Sequence, residues 1–181
     1  PLGIAKLTNA GEATVWGVEF EVSARPMSAL LIDASVGYLN AEYDEFESVD
    51  NAFNAALGFQ DLSGNKLVRA PEWKLYLGLQ YEWELGEAGQ LLARIDTSWV
   101  DKKFVRPFNL AVDEIASYSR TNAQLRWDSQ DQLWQTSLYA QNLTDEDTID
   151  DQLPGGAFVG FGIGATFLPP RTYGVKVIRQ F

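Results

Sequence analysis

From Trp73 to Leu85 the chain alternates without a fault. Trp73, Leu75, Leu77, Leu79, Tyr81, Trp83 and Leu85 stand on one side, and Lys74, Tyr76, Gly78, Gln80, Glu82 and Glu84 on the other. A period of two is the signature of a β-strand. This run is about twice the five to six residues common in globular sheets and long enough to cross an outer membrane at a tilt. The pattern recurs along the chain. In Thr14 to Arg25, Thr14, Trp16, Val18, Phe20, Val22 and Ala24 oppose Gly17, Glu19, Glu21, Ser23 and Arg25. In Leu30 to Tyr43, Leu30, Ile32, Ala34, Val36 and Tyr38 oppose Asp33, Ser35 and Gly37. Leu91 to Asp101, Tyr118 to Trp127, Leu133 to Asn142 and Arg171 to Phe181 follow the same rule.

The connections are of two kinds. Pro26-Met27-Ser28, Gly86-Glu87-Ala88-Gly89 and Ser129-Gln130-Asp131-Gln132 are short polar turns. Asp44 to Ala70, Lys102 to Ala116 and Leu143 to Pro170 are long, the first with a helical turn predicted at Asn51 to Leu57. Short turns alternating with long loops mark a transmembrane β-barrel, with the short ones on the periplasmic side. Parity then requires Ala157 to Phe167 to be loop or loop-hairpin, not a further spanning strand. About seven spanning strands result, and an odd number does not close a bacterial single-chain barrel. The expectation is an all-β, antiparallel transmembrane β-barrel portion whose partner strands lie elsewhere. Trp73 with Trp83, and Trp127 with Trp134, sit near the ends of apolar faces, as interfacial aromatics do. The alternative source of such alternation is a soluble β-sandwich with one face in its core.

Composition narrows function. There is no Cys, so neither disulfides nor thiolate metal sites arise. There is no His, which removes the commonest general base and rules out a Ser-His-Asp triad within this chain. A net charge of −11 argues against nucleic acid as a partner. No apolar run is long enough for a transmembrane helix, and the first residues lack the pattern of a signal peptide. No catalytic residue and no resident cofactor is assigned.

Several segments carry a resemblance. Asn9-Ala-Gly-Glu-Ala-Thr-Val-Trp-Gly-Val-Glu-Phe-Glu21, Ala70-Pro-Glu-Trp73, Asn142-Leu-Thr-Asp-Glu146 and Pro170-Arg-Thr-Tyr-Gly174 through Phe181 resemble, in order and spacing, motifs of TonB-dependent outer-membrane receptors. The resemblance implies the C-terminal portion, residues 1–181, of a 22-stranded barrel that surrounds a plug. It implies uptake of a scarce nutrient, with ferric siderophore, haem, cobalamin and saccharide as substrate classes. The implied partners are outer-membrane lipid, the rest of the barrel and plug, the TonB complex through the plug, and the barrel-assembly machinery. Tyr173, Val175, Val177 and Phe181 would form the assembly signal. Arg179 departs from the pattern, since an apolar or aromatic residue is usual there; a snorkelling guanidinium suits the periplasmic headgroups.

The ionised residues of the polar faces are Glu19, Glu21, Asp33, Glu82, Arg94, Asp96, Arg120 and Arg126. They are expected to face the lumen, either lining a translocation route or forming cross-strand ladders that hold the wall. Gln80 and Gln124 should join them. Trp16, Val18, Phe20, Leu75, Leu77, Leu79, Ile95, Leu125, Leu138, Val175 and Val177 should face lipid. Asp145-Glu-Asp-Thr-Ile-Asp-Asp151 has carboxylates for Ca²⁺ but not the spacing of a calcium loop, so a solvated, self-repelling loop is expected. Asn142-Leu143-Thr144 matches a glycosylation acceptor that has no meaning in a bacterial outer membrane. Phe46, Phe53, Phe59, Phe108, Phe158 and Phe161 are loop aromatics able to stack on a ligand. Two rival functions are a small self-contained barrel with an anchoring or adhesive role, and a barrel enzyme such as a lipase or protease, against which the lack of His counts.

Overall fold

The computed structural model describes residues 11–155, 160 and 162–181. Seven long strands form one antiparallel sheet: β1 (Glu12–Met27), β2 (Leu30–Glu45), β5 (Trp73–Glu84), β6 (Gln90–Val100), β9 (Tyr118–Asp128), β10 (Trp134–Gln141) and β13 (Thr172–Arg179). They lie side by side in chain order, with β1 and β13 at the two open edges. Each strand pairs with the next one in the sheet by simple return, as an up-and-down barrel wall does.

The three long loops carry short hairpins of their own. β3 (Glu47–Val49) pairs with β4 (Phe59–Asp61), β7 (Lys103–Phe104) with β8 (Glu114–Ile115), and β11 (Ile149–Pro154) with β12 (Ile163–Phe167). These hairpins were not legible as alternation because each is too short to show a period. The last one makes the described part of Ala157 to Phe167 a loop-hairpin outside the main sheet, as parity required. A 3-10 turn at Ala55–Leu57 falls within the helical turn expected at Asn51 to Leu57.

One turn is misplaced in the sequence reading. β1 continues through Pro26 to Met27, and the reversal occurs at Ser28 and Ala29. Proline fits there because the register shifts between Ala24 and Met27, and because an edge strand does not need every N–H. The other two short turns stand where expected. Gly89 closes the β5–β6 turn at φ 93°, and its amide bonds the Gly86 carbonyl at 3.0 Å. At the β9–β10 turn the Ser129 amide bonds the Trp134 carbonyl at 2.9 Å.

The sheet is a single layer with no apolar core against it. Val18 is 63 % exposed, Phe20 62 % and Val175 66 %. Leaving such side chains in water forgoes about 1.5–3 kcal/mol each. The few buried apolar residues are scattered: Ala41 and Tyr43 at the loop end of β2, Leu92 on β6, and Leu62 and Ile115 in the loops. A soluble sandwich would bury one face of this sheet under a second sheet, and the described residues contain no such layer.

Candidate functional site

Cross-strand register assembles the polar residues into transverse rows on one face. Ser23, Asp33, Gly78, Asp96 and Asn122 form one row; Gln80, Arg94, Gln124 and Tyr139 form the next; Glu82, Arg126, Ser137 and Lys176 lie beyond. Arg94 is the hub. Its Nη1 and Nη2 donate to Asp33 Oδ2 at 3.2 Å, and Nη2 also donates to Tyr76 Oη at 2.8 Å. Ser23 Oγ donates to the other Asp33 oxygen at 2.8 Å. Asn122 donates to Asp96 at 2.9 Å, and Gln80 to Glu82 at 2.8 Å. Arg126 Nε donates to Asp128 at 2.8 Å, and Arg120 Nη2 to the Pro169 carbonyl at 2.8 Å. Glu19 and Glu21 occupy the same face on β1 and have no ion-pair partner among the described residues.

Two glycines make room for this layer. A Cβ on Gly78 would stand 2.7 Å from Arg94 Nη2 and 2.9 Å from Tyr76 Oη. A Cβ on Gly174 would stand 2.2 Å from the Tyr139 ring. The Gly of the Arg-Thr-Tyr-Gly motif is therefore a seat for the neighbouring tyrosine.

The opposite face is predominantly apolar. Val36 stands beside Phe20 and Leu75, Leu79 beside Ile32 and Ile95, and Leu138 beside Leu125 and Val175. Aromatic residues bound it. At the loop end the Trp16 and Tyr38 rings are 5.3 Å apart, and those of Tyr38 and Trp73 are 4.7 Å apart. At the turn end stand Tyr81 and Trp83, 4.6 Å apart, with Trp127 and Trp134. The run from Trp73 to Trp83 covers about 33 Å along the strand at ~3.3 Å per residue. Tilted by about 40°, that is a band about 25 Å tall, the height of a membrane barrel's apolar belt.

Above the loop-side girdle, the loops are tied to one another. Arg106, between β7 and β8, donates from Nη1 to Asp50 Oδ1 at 2.8 Å and from Nε to Asp113 Oδ1 at 2.5 Å. Both carboxylates are buried, at 1 % and 0 % exposure. The guanidinium lies 4.8 Å from the Phe53 ring and 5.3 Å from the Phe108 ring. Asp50 also accepts from the Ala52 and Phe53 amides, and Asp113 from the Leu110 amide. Lys66 bridges Glu42 at 2.9 Å and Glu72 at 3.4 Å, and the Glu42 contact foremost raises its pKa above the ordinary lysine value. Asn109 bonds both the amide and the carbonyl of Lys66. Sequence reasoning missed this clasp, because Asp50, Arg106 and Asp113 are far apart in the chain and follow no motif.

The acidic segment Asp145 to Asp151, expected to be solvated and self-repelling, is tied in part to other segments. Asp145 pairs with Arg171 at 3.0 Å, Asp151 with Arg69 at 2.5 Å, and Glu146 accepts from the Ser119 hydroxyl at 2.9 Å. Two of its five acids thus meet arginines distant in the chain, which sequence adjacency concealed. Among the described residues no group of three or more such side chains converges as a metal site. Asn142 is fully buried at φ 50°, and its side chain bonds the backbone of Glu146 in both directions. The Asn-Leu-Thr-Asp motif is thus a strand-end turn that needs Asn for its left-handed backbone. Of the loop aromatics, Phe53 and Phe108 hold Arg106, Phe46 lies 4.7 Å from Tyr43, and Phe59 is exposed. Phe158 and Phe161, like Asn9 of the first motif, lie outside the described residues.

A one-layer sheet of long strands, apolar and girdled on one face, ionised on the other, with short turns below and tied loops above, is a transmembrane β-barrel wall. Residues 2–143 match the family described as TonB dependent receptor-like, beta-barrel. The chain belongs to that family, whose barrels are outer-membrane proteins. Solved structures with the same fold include the ferric yersiniabactin uptake receptor FyuA from Yersinia pestis, at 20 % identity and TM-score 0.77, covering 96 % of this chain and 24 % of that one. The ferric preacinetobactin receptor BauA from Acinetobacter baumannii has 17 % identity and TM-score 0.70, covering 95 % and 23 %. The siderophore receptor PiuA from the same organism has 19 % identity and TM-score 0.69, covering 92 % and 21 %. The chain spans about a quarter of the length of these receptors.

Proposed function

We propose that this chain is the C-terminal part of the barrel of an outer-membrane active transporter in a Gram-negative bacterium. It works with a plug and earlier strands, and energy reaches it from the TonB complex through the plug. A ferric siderophore is the substrate class. Residues Glu19, Glu21, Asp33, Glu82, Arg94, Asp96, Arg120 and Arg126 face the lumen, where they stiffen the wall around the plug. Tyr173, Val175, Val177 and Phe181 present the last strand to the barrel-assembly machinery. The role is transport and not catalysis.

The observation that carries this reading is the two-faced sheet, whose apolar face is bounded by aromatic residues at both ends. Its ionised face needs water on one side and its apolar face needs lipid on the other, and only a barrel wall meets both demands. FyuA and BauA are receptors of ferric complexes and PiuA is a siderophore receptor, which favours iron among the nutrients. The test is growth of a receptor-deleted strain on single iron sources with the full-length receptor restored. Rescue on a ferric siderophore that disappears without TonB is expected. Rescue by a saccharide or by cobalamin alone would overturn the substrate class, and TonB-independent rescue would overturn the mechanism.

A further inference from the structure

Arg179 is a cation on the wrong face. Register pairs it with Trp134, so it shares the apolar side of β13 with Val175 and Val177. Its guanidinium carbon lies 5.1 Å from the Trp134 ring and 5.0 Å from the Phe181 ring. No carboxylate among the described residues reaches it, although the chain has 25 Asp and Glu against 14 Lys and Arg. The nearest acids by position are already engaged. Asp128 on the opposite face takes Arg126 and Gln135, and Asp131 in the adjoining turn takes the Ser129 hydroxyl and the Leu133 amide. Arg179 is exposed, and none of its five N–H donors has an acceptor among the described residues.

We propose that Arg179, held between Trp134 and Phe181, binds the phosphodiester of one phospholipid headgroup at the turn-side edge of the membrane. The inference rests on the barrel-wall reading above. Three features point to that ligand. Trp134 belongs to the turn-side girdle, which places Arg179 at headgroup depth. An outward-facing cation at that depth lies level with the lipid phosphates. The two rings hold the guanidinium by cation–π contact and leave its edge free for a bidentate grip on phosphate oxygens.

The test uses the purified full-length receptor in detergent, with bound lipid counted by native mass spectrometry. Phosphatidylglycerol, phosphatidylethanolamine and a diacylglycerol of the same chains are titrated in turn. The wild type should retain one phospholipid per barrel and not the diacylglycerol. Arg179→Gln should weaken that retention about tenfold or more, as expected when a charge-assisted contact is lost. Arg179→Lys should fall between, having charge without the fork. Equal retention by Arg179→Gln, or equal retention of diacylglycerol by the wild type, would overturn the site. So would displacement of the lipid by millimolar inorganic phosphate, which would make the ligand a soluble anion. If Arg179→Gln does not give a heat-modifiable barrel, the wild-type comparison of phospholipid with diacylglycerol decides, together with Trp134→Leu, which should also weaken retention. A heat-modifiable barrel without phosphate preference sinks the lipid site and leaves the barrel wall standing; a wild-type receptor that forms no such barrel sinks both.

Discussion

Replacing Arg106 with Gln should open the loop rim without unfolding the barrel. The substitution leaves Asp50 and Asp113, which are 1 % and 0 % exposed, without their shared countercharge. Breaking a buried ion pair by removing one partner costs roughly 3–5 kcal/mol, since an uncompensated charge stays behind. The backbone amides that both carboxylates accept from hold the cost at the lower end of that range. Losing the contacts with the Phe53 and Phe108 rings adds about 0.5–2 kcal/mol. The clasp joins the loop between β2 and β5 to the loop between β6 and β9, so the loss falls on their local opening and not on the strand ladder. A total cost of at least about 3 kcal/mol raises the open population at least about a hundredfold, at 1.4 kcal/mol per tenfold. Hydrogen exchange of the full-length receptor reads this directly. Peptides covering 47–61 and 103–115 should exchange at least about a hundredfold faster, while those from β5, β6 and β9 keep the wild-type rate. Adding Asp50→Asn and Asp113→Asn should restore part of the protection by removing the stranded charges. Unchanged exchange in both loops, or no recovery in the triple variant, would refute the reasoning.

Gly89→Ala should impair assembly more than Gly78→Ala, because the added Cβ meets the Asp128 backbone carbonyl at 2.1 Å and φ is 93°. At Gly78 the obstacle is the mobile end of Arg94, so the barrel should form, with its thermal midpoint lowered by the loss of the Arg94–Asp33 pair. Heat-modifiable mobility and melting of the two variants separate these outcomes. The Asp131 carboxyl is held below the usual aspartate range by the Ser129 hydroxyl and the Leu133 amide. Its stabilisation of the turn is therefore complete above the unfolded pKa of about 3.9 and disappears as pH falls through the lower folded value. Amide exchange at Leu133 should rise in that acid window, and Asp131→Asn should abolish the pH dependence. Deleting Phe181 from the full receptor should lower its outer-membrane level, and unchanged insertion at equal expression would count against an assembly role.

The wall was legible in the sequence because one variable governs it. A strand places successive side chains on opposite faces, so Leu75, Leu77 and Leu79 against Tyr76, Gly78 and Gln80 already state which residues share a side. Length and loop asymmetry then select a membrane barrel over a sandwich. Three of the six pairings were also determined, since each short turn forces its two strands together. What the sequence did not contain is everything that depends on distance across the chain. Arg106 meets Asp50 and Asp113, and Arg69 meets Asp151, only because the sheet order brings separate loops over one rim. Alternation carries no information about such contacts, and loops have no period of their own. The same holds for Gly78 and Gly174, whose need for hydrogen in place of a side chain comes from Arg94 and Tyr139 on the neighbouring strand. Arg179 shows the division most sharply: the sequence marked it as out of pattern, and the structure decided that it lies on the apolar face, between two rings and with no acid among the described residues. Local periodicity is written residue by residue, whereas charge pairing between loops is a property of the folded surface alone.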